Sequence, residues 1–263
     1  EESCDVYFYE AARRTGVDKV AEIAKKLGLG DFTGIDLTGE RRGIIPTRAW
    51  KQGALGQPWH PGENLVIGIG QGYVTTTPLQ LAVMAARLAN GGYAVQPRIV
   101  RKDDAFGPAT DPRLASQRWP SLHLKREQLD LAQEGMIRVT TPPRGTAAGA
   151  RITLAQYAMA GKTGSSQVRR ISRAERETRV RKNEEKPWEE RDHALFVAFA
   201  PVSAPRYACA VIIEHGGSGA KAAAPVARDI MLECQKLDPS RKPRTAPGPT
   251  TAAGNAPPTR DGG

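Results

Sequence analysis

The chain has 263 residues, of which 40% are hydrophobic and 6% aromatic, and its formal net charge is +10. This length allows one large domain or two small ones, and no apolar run reaches the roughly 20 residues of a membrane-spanning helix. The basic residues are not gathered in one patch, and no aromatic stacking platform or known motif accompanies them, so nucleic-acid binding is not expected. The three cysteines lie at wide spacing and give no disulfide framework.

The first half of the chain is predicted to be mainly helical. Residues 3–30 contain apolar positions at helical spacing and predict two helices closed by glycines. Residues 31–50 contain Gly and Pro throughout and predict a loop with short strands. A helix is expected to begin after Thr77, which can cap it, and to end at the Asn-Gly-Gly that starts at Asn90. A polar connection and a helix near Arg126–Val139 follow.

The second half of the chain supplies the predicted strands. Three short apolar segments, 154–168, 193–202 and 207–217, are separated by turn signals, and the tight connection between the last two predicts an antiparallel hairpin. Residues 224–237 predict a closing helix. The whole pattern predicts an α/β fold in which an antiparallel sheet of about five strands is flanked by helices.

Two other segments are polar for different reasons. Residues 169–191 mix both charge signs, which is typical of a solvated helix or hairpin arm. Residues 238–263 are rich in Pro, Gly and Thr, hold almost no core-forming residue, and are predicted to be a disordered tail. The ordered domain is therefore expected to be 1–237.

The triplet Lys162-Thr163-Gly164, followed by Ser165, is the strongest chemical signal in the sequence. The ammonium and the two hydroxyls can bind a carboxylate, and Gly164 leaves room for a substrate against the backbone. The triplet alone also fits an ordinary strand end. However, serine acyl-transfer enzymes combine S-x-x-K, S-D-N and K-T-G in that order, and Ser3-Cys4-Asp5 stands where the second element belongs. Helix N-capping is the alternative reading of Ser3 and Asp5.

Several blocks together resemble the transpeptidase domain of class B penicillin-binding proteins, above all the elongation-specific (penicillin-binding protein 2) branch. They are SCDVYFYE, TGIDLTGERRGIIPTRAWK, GIGQGYVTTTPLQLA, AGKTGSSQ and DHALFVAFAPV, and the resemblance runs from Ser3 to about Leu237. It implies a penicillin-binding/transpeptidase fold, of which the chain is a partial domain. Asp5 departs from the asparagine of the broader family and is similar to what the elongation-specific branch carries.

The resemblance also implies an activity and roles for the site residues. The activity is that of a peptidoglycan D,D-transpeptidase, which crosslinks stem peptides through a serine acyl-enzyme. Lys162, Thr163 and Ser165 would bind the substrate's terminal carboxylate, and the Ser165 N–H would be one oxyanion-hole donor. Ser3 would relay a proton between the active-site lysine and the leaving amine. Asp5 would help hold the substrate amide and that lysine.

The nucleophile is expected upstream of Glu1. The one Ser-x-x-Lys of the sequence begins at Ser218, after Lys162 instead of before it, and lies in a glycine-rich turn, so it is interpreted as a chance match. The chain is therefore expected to be a piece of a longer protein and to be inactive alone. The block from Gly68 to Gly72 is interpreted as a structural turn behind the active site, since the acidic residue of a nucleotide-binding loop is missing.

No cofactor is required by this reading. Cys4 is either a small buried hydrophobe or a zinc ligand whose partner ligands lie upstream. The implied partners are peptidoglycan stem peptides, β-lactam antibiotics, a SEDS-type glycosyltransferase and the elongation machinery, the last two reached through N-terminal regions. The implied location is the periplasmic face of the bacterial inner membrane, with an anchor outside this chain. A β-lactam-sensing or β-lactamase-related domain remains the alternative, although no water-activating base for hydrolysis is identified.

Overall fold

The computed structural model describes residues 2–100, 119–169 and 171–238. Its helices are α1 (Asp5–Thr15), α2 (Val17–Lys26), α3 (Arg48–Leu55), α4 (Pro61–Gly68), α5 (Pro78–Ala89), α6 (Arg126–Val139), α7 (Arg173–Thr178) and α8 (Ala224–Lys236). The predicted Thr77 cap is confirmed: its side chain accepts the Gln80 N–H, and Gln80 returns the bond in a capping box. The segment predicted to be the polar connection lies largely outside the described residues, as does the predicted tail.

The sheet has three strands in the described residues: β1 (Ala160–Ser166), β2 (His193–Ala200) and β3 (Tyr207–Ile213). They pair antiparallel in the order β1-β2-β3, and β2 and β3 form the predicted hairpin. The α/β class is confirmed, but the expected count of about five strands is not met there. Residues 31–50, expected to contribute short strands, form a single bridge between Ile44 and Thr75 because Gly and Pro interrupt any ladder.

Helices cover both faces of the sheet. Successive side chains of a strand point to opposite faces, and β2 uses both: Phe196 packs with Met231 of α8 on one face, whereas Phe199 packs with Ala85 of α5 and Met136 of α6 on the other. Both phenylalanines are fully buried, and each contributes about 1.5–3 kcal/mol of hydrophobic stabilisation. The middle strand is thus fixed from both sides, and β1 is left at an edge.

Helices α1 to α4 form the helical part, which contacts β1 through Ser3, just before α1, and Gln71, just after α4. Helix α4 packs closely on α1 at Gly68, where a Cβ would lie 2.5 Å from the Cβ of Ala12 and 2.8 Å from the Phe8 carbonyl oxygen. Sequence reasoning missed both α3 and α4, since these eight-residue helices are too short and too interrupted by Gly and Pro to show a clear period.

A buried ion pair ties α3 to α4. The Nζ of Lys51 lies 2.6 and 2.8 Å from the two carboxylate oxygens of Glu63, and the Lys51 side chain is 1% exposed. Its ammonium also lies 5.8 Å from the ring centroids of Trp59 and Tyr73. Burial raises the pKa of Glu63, but hydrogen bonds from Lys51 and from the His60 N–H outweigh it, so this pKa lies below its ordinary value.

The charged segment 169–191 contains the helix α7 and is mostly exposed where the structure describes it, as predicted for a solvated helix or arm, but some of its charges are paired internally. Beyond β1, Arg169 donates two hydrogen bonds to Glu175 in α7, at 2.8 and 2.7 Å, and both side chains are mostly buried. These bonds hold the pKa of Glu175 at about 2. The mixed charges therefore form an internal network as well as an exposed face. None of the helices in the described ranges is long and apolar enough to cross a membrane.

The Lys51–Glu63 pair supports a stability prediction. Glu63→Gln in the intact protein should lower the free energy of unfolding by about 3 kcal/mol, because it leaves a buried ammonium without its counter-charge. The double variant Lys51→Met/Glu63→Gln should recover most of that loss. Urea denaturation measures both, with Glu22→Gln as control, since the Glu22–Lys26 pair is exposed and should matter by less than about 1 kcal/mol. A Glu63→Gln loss no larger than the control's would contradict the assignment.

Candidate active site

The free edge of β1 forms one wall of the site. The carbonyl oxygen of Thr163 accepts a hydrogen bond from Lys162 Nζ at 2.8 Å, and that of Ser165 accepts one from the side-chain amide of Gln71 at 3.0 Å. In an antiparallel pair, residues at non-hydrogen-bonded positions direct both their N–H and C=O away from the neighbouring strand. Thr163 and Ser165 are two positions apart and so share this outward orientation. The Ser165 N–H therefore also points to the free edge, which is the orientation expected of the predicted oxyanion donor.

The opposite wall is the start of α1, and one hydrogen bond joins the two. Lys162 Nζ donates to Ser3 Oγ at 2.7 Å, across 159 positions of sequence. Ser3 has φ +52°, a left-handed conformation that a non-glycine residue adopts rarely and that often marks a functional position. The two predicted motifs are thus brought together as the acyl-transfer signature requires.

Lys162 is half-buried between the two walls. Desolvation by burial lowers its pKa below the ordinary value of 10.5, and the negative charge of Asp5 opposes that shift. Since Nζ donates to Ser3 Oγ, the hydroxyl hydrogen of Ser3 is left free to point elsewhere. The arrangement provides a cation, a hydroxyl that can pass on a proton, and a carboxylate that supports the cation.

The other predicted site residues lie along β1. The Thr163 hydroxyl lies 3.3 Å from that of Thr146, and 3.4 Å from Lys162 Nζ. Ser165 is exposed at the strand edge. A Cβ on Gly164 would lie 3.3 Å from the Cβ of Leu195, with no other atom within 4 Å, so the strand surface there is open apart from its neighbour in the sheet.

The alternative interpretation of Ser3 and Asp5 as helix caps is wrong. Cys4 is the N-cap residue of α1, and no side chain caps the helix; Asp5 is its first residue. Cys4 is exposed, so its interpretation as a buried hydrophobe is also wrong. Within the described ranges no three His, Cys, Asp or Glu residues cluster closely enough to hold a metal. The zinc hypothesis, which needs ligands upstream of the chain, stays a prediction.

Ser218 has a structural role in the described chain. Its hydroxyl accepts the N–H of Lys221 and caps the π-helical turn Gly219–Ala223 that leads into α8. A Cβ on Gly219 would lie 2.7 Å from the Gly164 carbonyl oxygen, so this turn packs directly on the sheet. The Ser-x-x-Lys spacing here is that of a helix start.

Sequence reasoning missed Gln71 and Thr146 as neighbours of the site. Thr146 lies in no recognised sequence motif. The glycines on either side of Gln71 were noticed, but the block was interpreted as a turn behind the site, whereas the Gln71 side chain contacts the site strand itself.

Comparison with known proteins identifies the family. A model of the penicillin binding protein transpeptidase domain matches residues 1–232. The chain belongs to the penicillin-binding protein transpeptidase family. The predicted resemblance is thereby confirmed, and the relatives described next show that the domain is of the PBP2 (MrdA) type.

Curated relatives and solved structures agree on this type. Peptidoglycan D,D-transpeptidase MrdA of Escherichia coli K12 is 37% identical over 83% of this chain, and that of Acinetobacter baumannii is 38% identical over 91%. This chain covers 34% of each, so it spans about a third of the length of the relatives it matches. A structure of Pseudomonas aeruginosa PBP2 with WCK 5153 is 36% identical, with a TM-score of 0.71 over 89% of this chain and 47% of that one. A complex of PBP2 and MreC from Helicobacter pylori gives 27% identity and a TM-score of 0.73 over 90% and 39%.

The Asp5–Lys162 interaction predicts a change in pH dependence. Asp5 raises the pKa of Lys162, so Asp5→Asn should lower that pKa further. If the longer protein is acylated by penicillin and the ammonium form of Lys162 binds the penicillin carboxylate, the acylation rate of Asp5→Asn should begin to fall at a lower alkaline pH than that of the parent. Stopped-flow acylation rates from neutral pH upward test this, with Asp18→Asn in α2 as the control carboxylate. An unchanged alkaline limb in Asp5→Asn would show that the Asp5 charge does not support Lys162.

Proposed function

We propose that this chain is part of a peptidoglycan D,D-transpeptidase that crosslinks stem peptides during cell elongation. The observation that carries the proposal is the 2.7 Å hydrogen bond from Lys162 to Ser3, which joins two elements of the serine acyl-transfer signature across the cleft. The names of the curated relatives support the same reaction. Because the chain spans about a third of those relatives, the activity is proposed for the longer protein.

The proposed reaction has two acyl-transfer steps. A serine supplied upstream attacks the penultimate D-alanine carbonyl of a stem peptide; the C–N bond breaks, and D-alanine leaves with a proton on its amine. An amine from a neighbouring stem then attacks the ester, forms the new amide bond and releases the serine. Ser3 hands its hydroxyl hydrogen, which is free while Lys162 donates to its oxygen, to the leaving amine. It regains a proton from the attacking serine through the lysine of the upstream Ser-x-x-Lys. In the second step the proton of the attacking amine returns to that serine by the same route.

The strand β1 holds the substrate in this proposal. Lys162 and the hydroxyls of Thr163 and Ser165 bind the terminal carboxylate, a charge-assisted contact that is stronger than a neutral one. The Ser165 N–H on the free edge binds the developing oxyanion. Gly164 leaves the strand surface open beside them. Asp5 supports the charge of Lys162 and helps to hold the substrate amide.

Partners and location follow from the same assignment. We propose stem peptides as substrates and β-lactams as covalent inhibitors that acylate the same serine. The elongation machinery is proposed as the assembly partner, since one solved relative is a complex with MreC; a SEDS-type glycosyltransferase would supply the glycan. A periplasmic site at the inner membrane, with an anchor elsewhere in the protein, follows from this role.

The Lys162 assignment gives the main test. Lys162→Ala in the intact protein should slow acylation by a fluorescent penicillin roughly ten- to a hundredfold, the scale of one lost charge-assisted contact of about 1.5–3 kcal/mol. Its unfolding midpoint should change little. Lys221→Ala, which removes the exposed lysine of the Ser218 turn, is the matched control and should acylate normally.

Peptide mapping of the adduct completes that test. The penicilloyl group should be found on a serine upstream of residue 1, with Ser218 unmodified. A slowly hydrolysed adduct supports a transpeptidase, whereas fast turnover would favour the β-lactamase-related alternative. An adduct on Ser218, or normal acylation of Lys162→Ala, would refute the roles given to these residues.

A further inference from the structure

Gln71 makes a second connection between the two walls of the site. Its Nε2 donates to the Ser165 carbonyl oxygen at 3.0 Å, across 94 positions of sequence. The first connection, from Lys162 to Ser3, uses the side chain of the strand; this one uses its backbone. The two bonds lie three strand positions apart, at Lys162 and Ser165, and together fix the strand edge against the helices.

The backbone around Gln71 is held in place by the end of α4. The Gln71 N–H donates to the Val66 carbonyl at 3.1 Å, in a turn that closes the helix. Gly70 and Gly72 have φ of +74° and +77°, conformations that residues with a Cβ rarely adopt. A turn therefore precedes Gln71 and another follows it, and between them the Gln71 side chain reaches β1.

Gln71 also belongs to the same packed unit as the other wall. Helix α4 is in close contact with α1 at Gly68, and α1 begins at Asp5, two positions after Ser3. The Lys51–Glu63 pair fixes α4 in turn to α3. A displacement of β1 from Gln71 would therefore also change the separation of Lys162 from Ser3.

The Ser165 carbonyl and N–H share one orientation at the free edge. The amide of Gln71 holds the carbonyl, and the N–H of the same residue is the proposed oxyanion donor. An oxyanion donor is effective only if it is already aimed at the developing charge. Fixing the carbonyl of Ser165 from across the cleft limits rotation of the strand edge and so keeps the N–H aimed.

We propose that Gln71 is a positioning residue for acyl transfer: its amide clamps the Ser165 carbonyl and thereby sets the orientation of the Ser165 N–H and its separation from Ser3. This inference rests on the proposed transpeptidase function. It assigns to Gln71 no contact with the reacting atoms. It also accounts for the partly buried glutamine that lies between two glycines in this turn.

The test compares two donor-free variants with a matched control in the intact protein. Gln71→Met keeps the length of the side chain without a donor, and Gln71→Glu keeps its shape with acceptors only. Gln96→Met is the control, because Gln96 Nε2 also donates to a backbone carbonyl, that of Gly34 at 2.8 Å, on a different part of the surface. Circular dichroism melting confirms that all three variants are folded.

The readout is the acylation rate constant, separated from non-covalent affinity by varying the penicillin concentration. Both Gln71 variants should lower the acylation rate constant about three- to tenfold, the scale of one net hydrogen bond, with affinity changed less than about twofold. Gln96→Met should behave as the parent. Loss of oxyanion alignment lowers the rate constant specifically, whereas general loosening of the site would weaken affinity as well.

The outcomes separate this inference from the function on which it rests. If the parent is not acylated at all, the proposed function fails. If the parent is acylated and both Gln71 variants match it, the positioning role alone is overturned. Faster acylation of the Gln71 variants would also overturn it, and would show that Gln71 occupies a carbonyl needed by the substrate.

Discussion

The hydrogen bond between Lys162 and Ser3 is the contact on which the rest of the site depends. Ser3 is at the start of the helical part and Lys162 is on the edge strand of the sheet, so neither part contains a complete site. Phe196 packs on α8 and Phe199 packs on α5 and α6, so the position of the sheet is fixed without a contribution from α1 to α4. The relative placement of the two parts therefore decides whether the Lys162 ammonium, the Ser3 hydroxyl and the Ser165 N–H meet in one cleft. The hydrogen bond from Lys162 to Ser3 is a direct measure of that placement.

Two residues of the site are held in arrangements that cost free energy of folding. Lys162 gives up part of its hydration, and Ser3 adopts a left-handed backbone conformation that costs of order 1 kcal/mol or more. Such costs persist only where surrounding structure holds the residues in place. Here the close contact at Gly68 and the buried Lys51–Glu63 pair make the helical part rigid. The contact at Gly68 and the Lys51–Glu63 pair thus lie near the cleft but outside it. Their stabilisation offsets the unfavourable conformation of Ser3 and the desolvation of Lys162 inside the cleft.

The sequence predicted what local pattern and motif chemistry determine. Helix α5 was predicted with its Thr77 cap because capping residues act within one turn, and the β2–β3 hairpin because its turn is short. The order of the motifs predicted that Ser3-Cys4-Asp5 and Lys162-Thr163-Gly164 belong to one site, but not that Lys162 hydrogen-bonds to Ser3. By contrast, the contact of Gln71 with Ser165 depends on how α4 packs on α1, and no local pattern records packing. The short helix α4 was missed because Gly and Pro obscure its period, and with it the position of Gln71.

Asp5 is explained by the same balance of charge and burial. An asparagine at this position could hydrogen-bond a substrate amide, but it would leave the desolvated Lys162 without a nearby negative charge. Burial alone lowers the pKa of Lys162, and the Asp5 carboxylate opposes that shift. A cation is what a carboxylate-binding site needs, since a neutral amine would give up the charge-assisted part of the contact. If Lys162 binds the substrate carboxylate, as proposed, the aspartate helps Lys162 to keep the required proton although the side chain is partly buried.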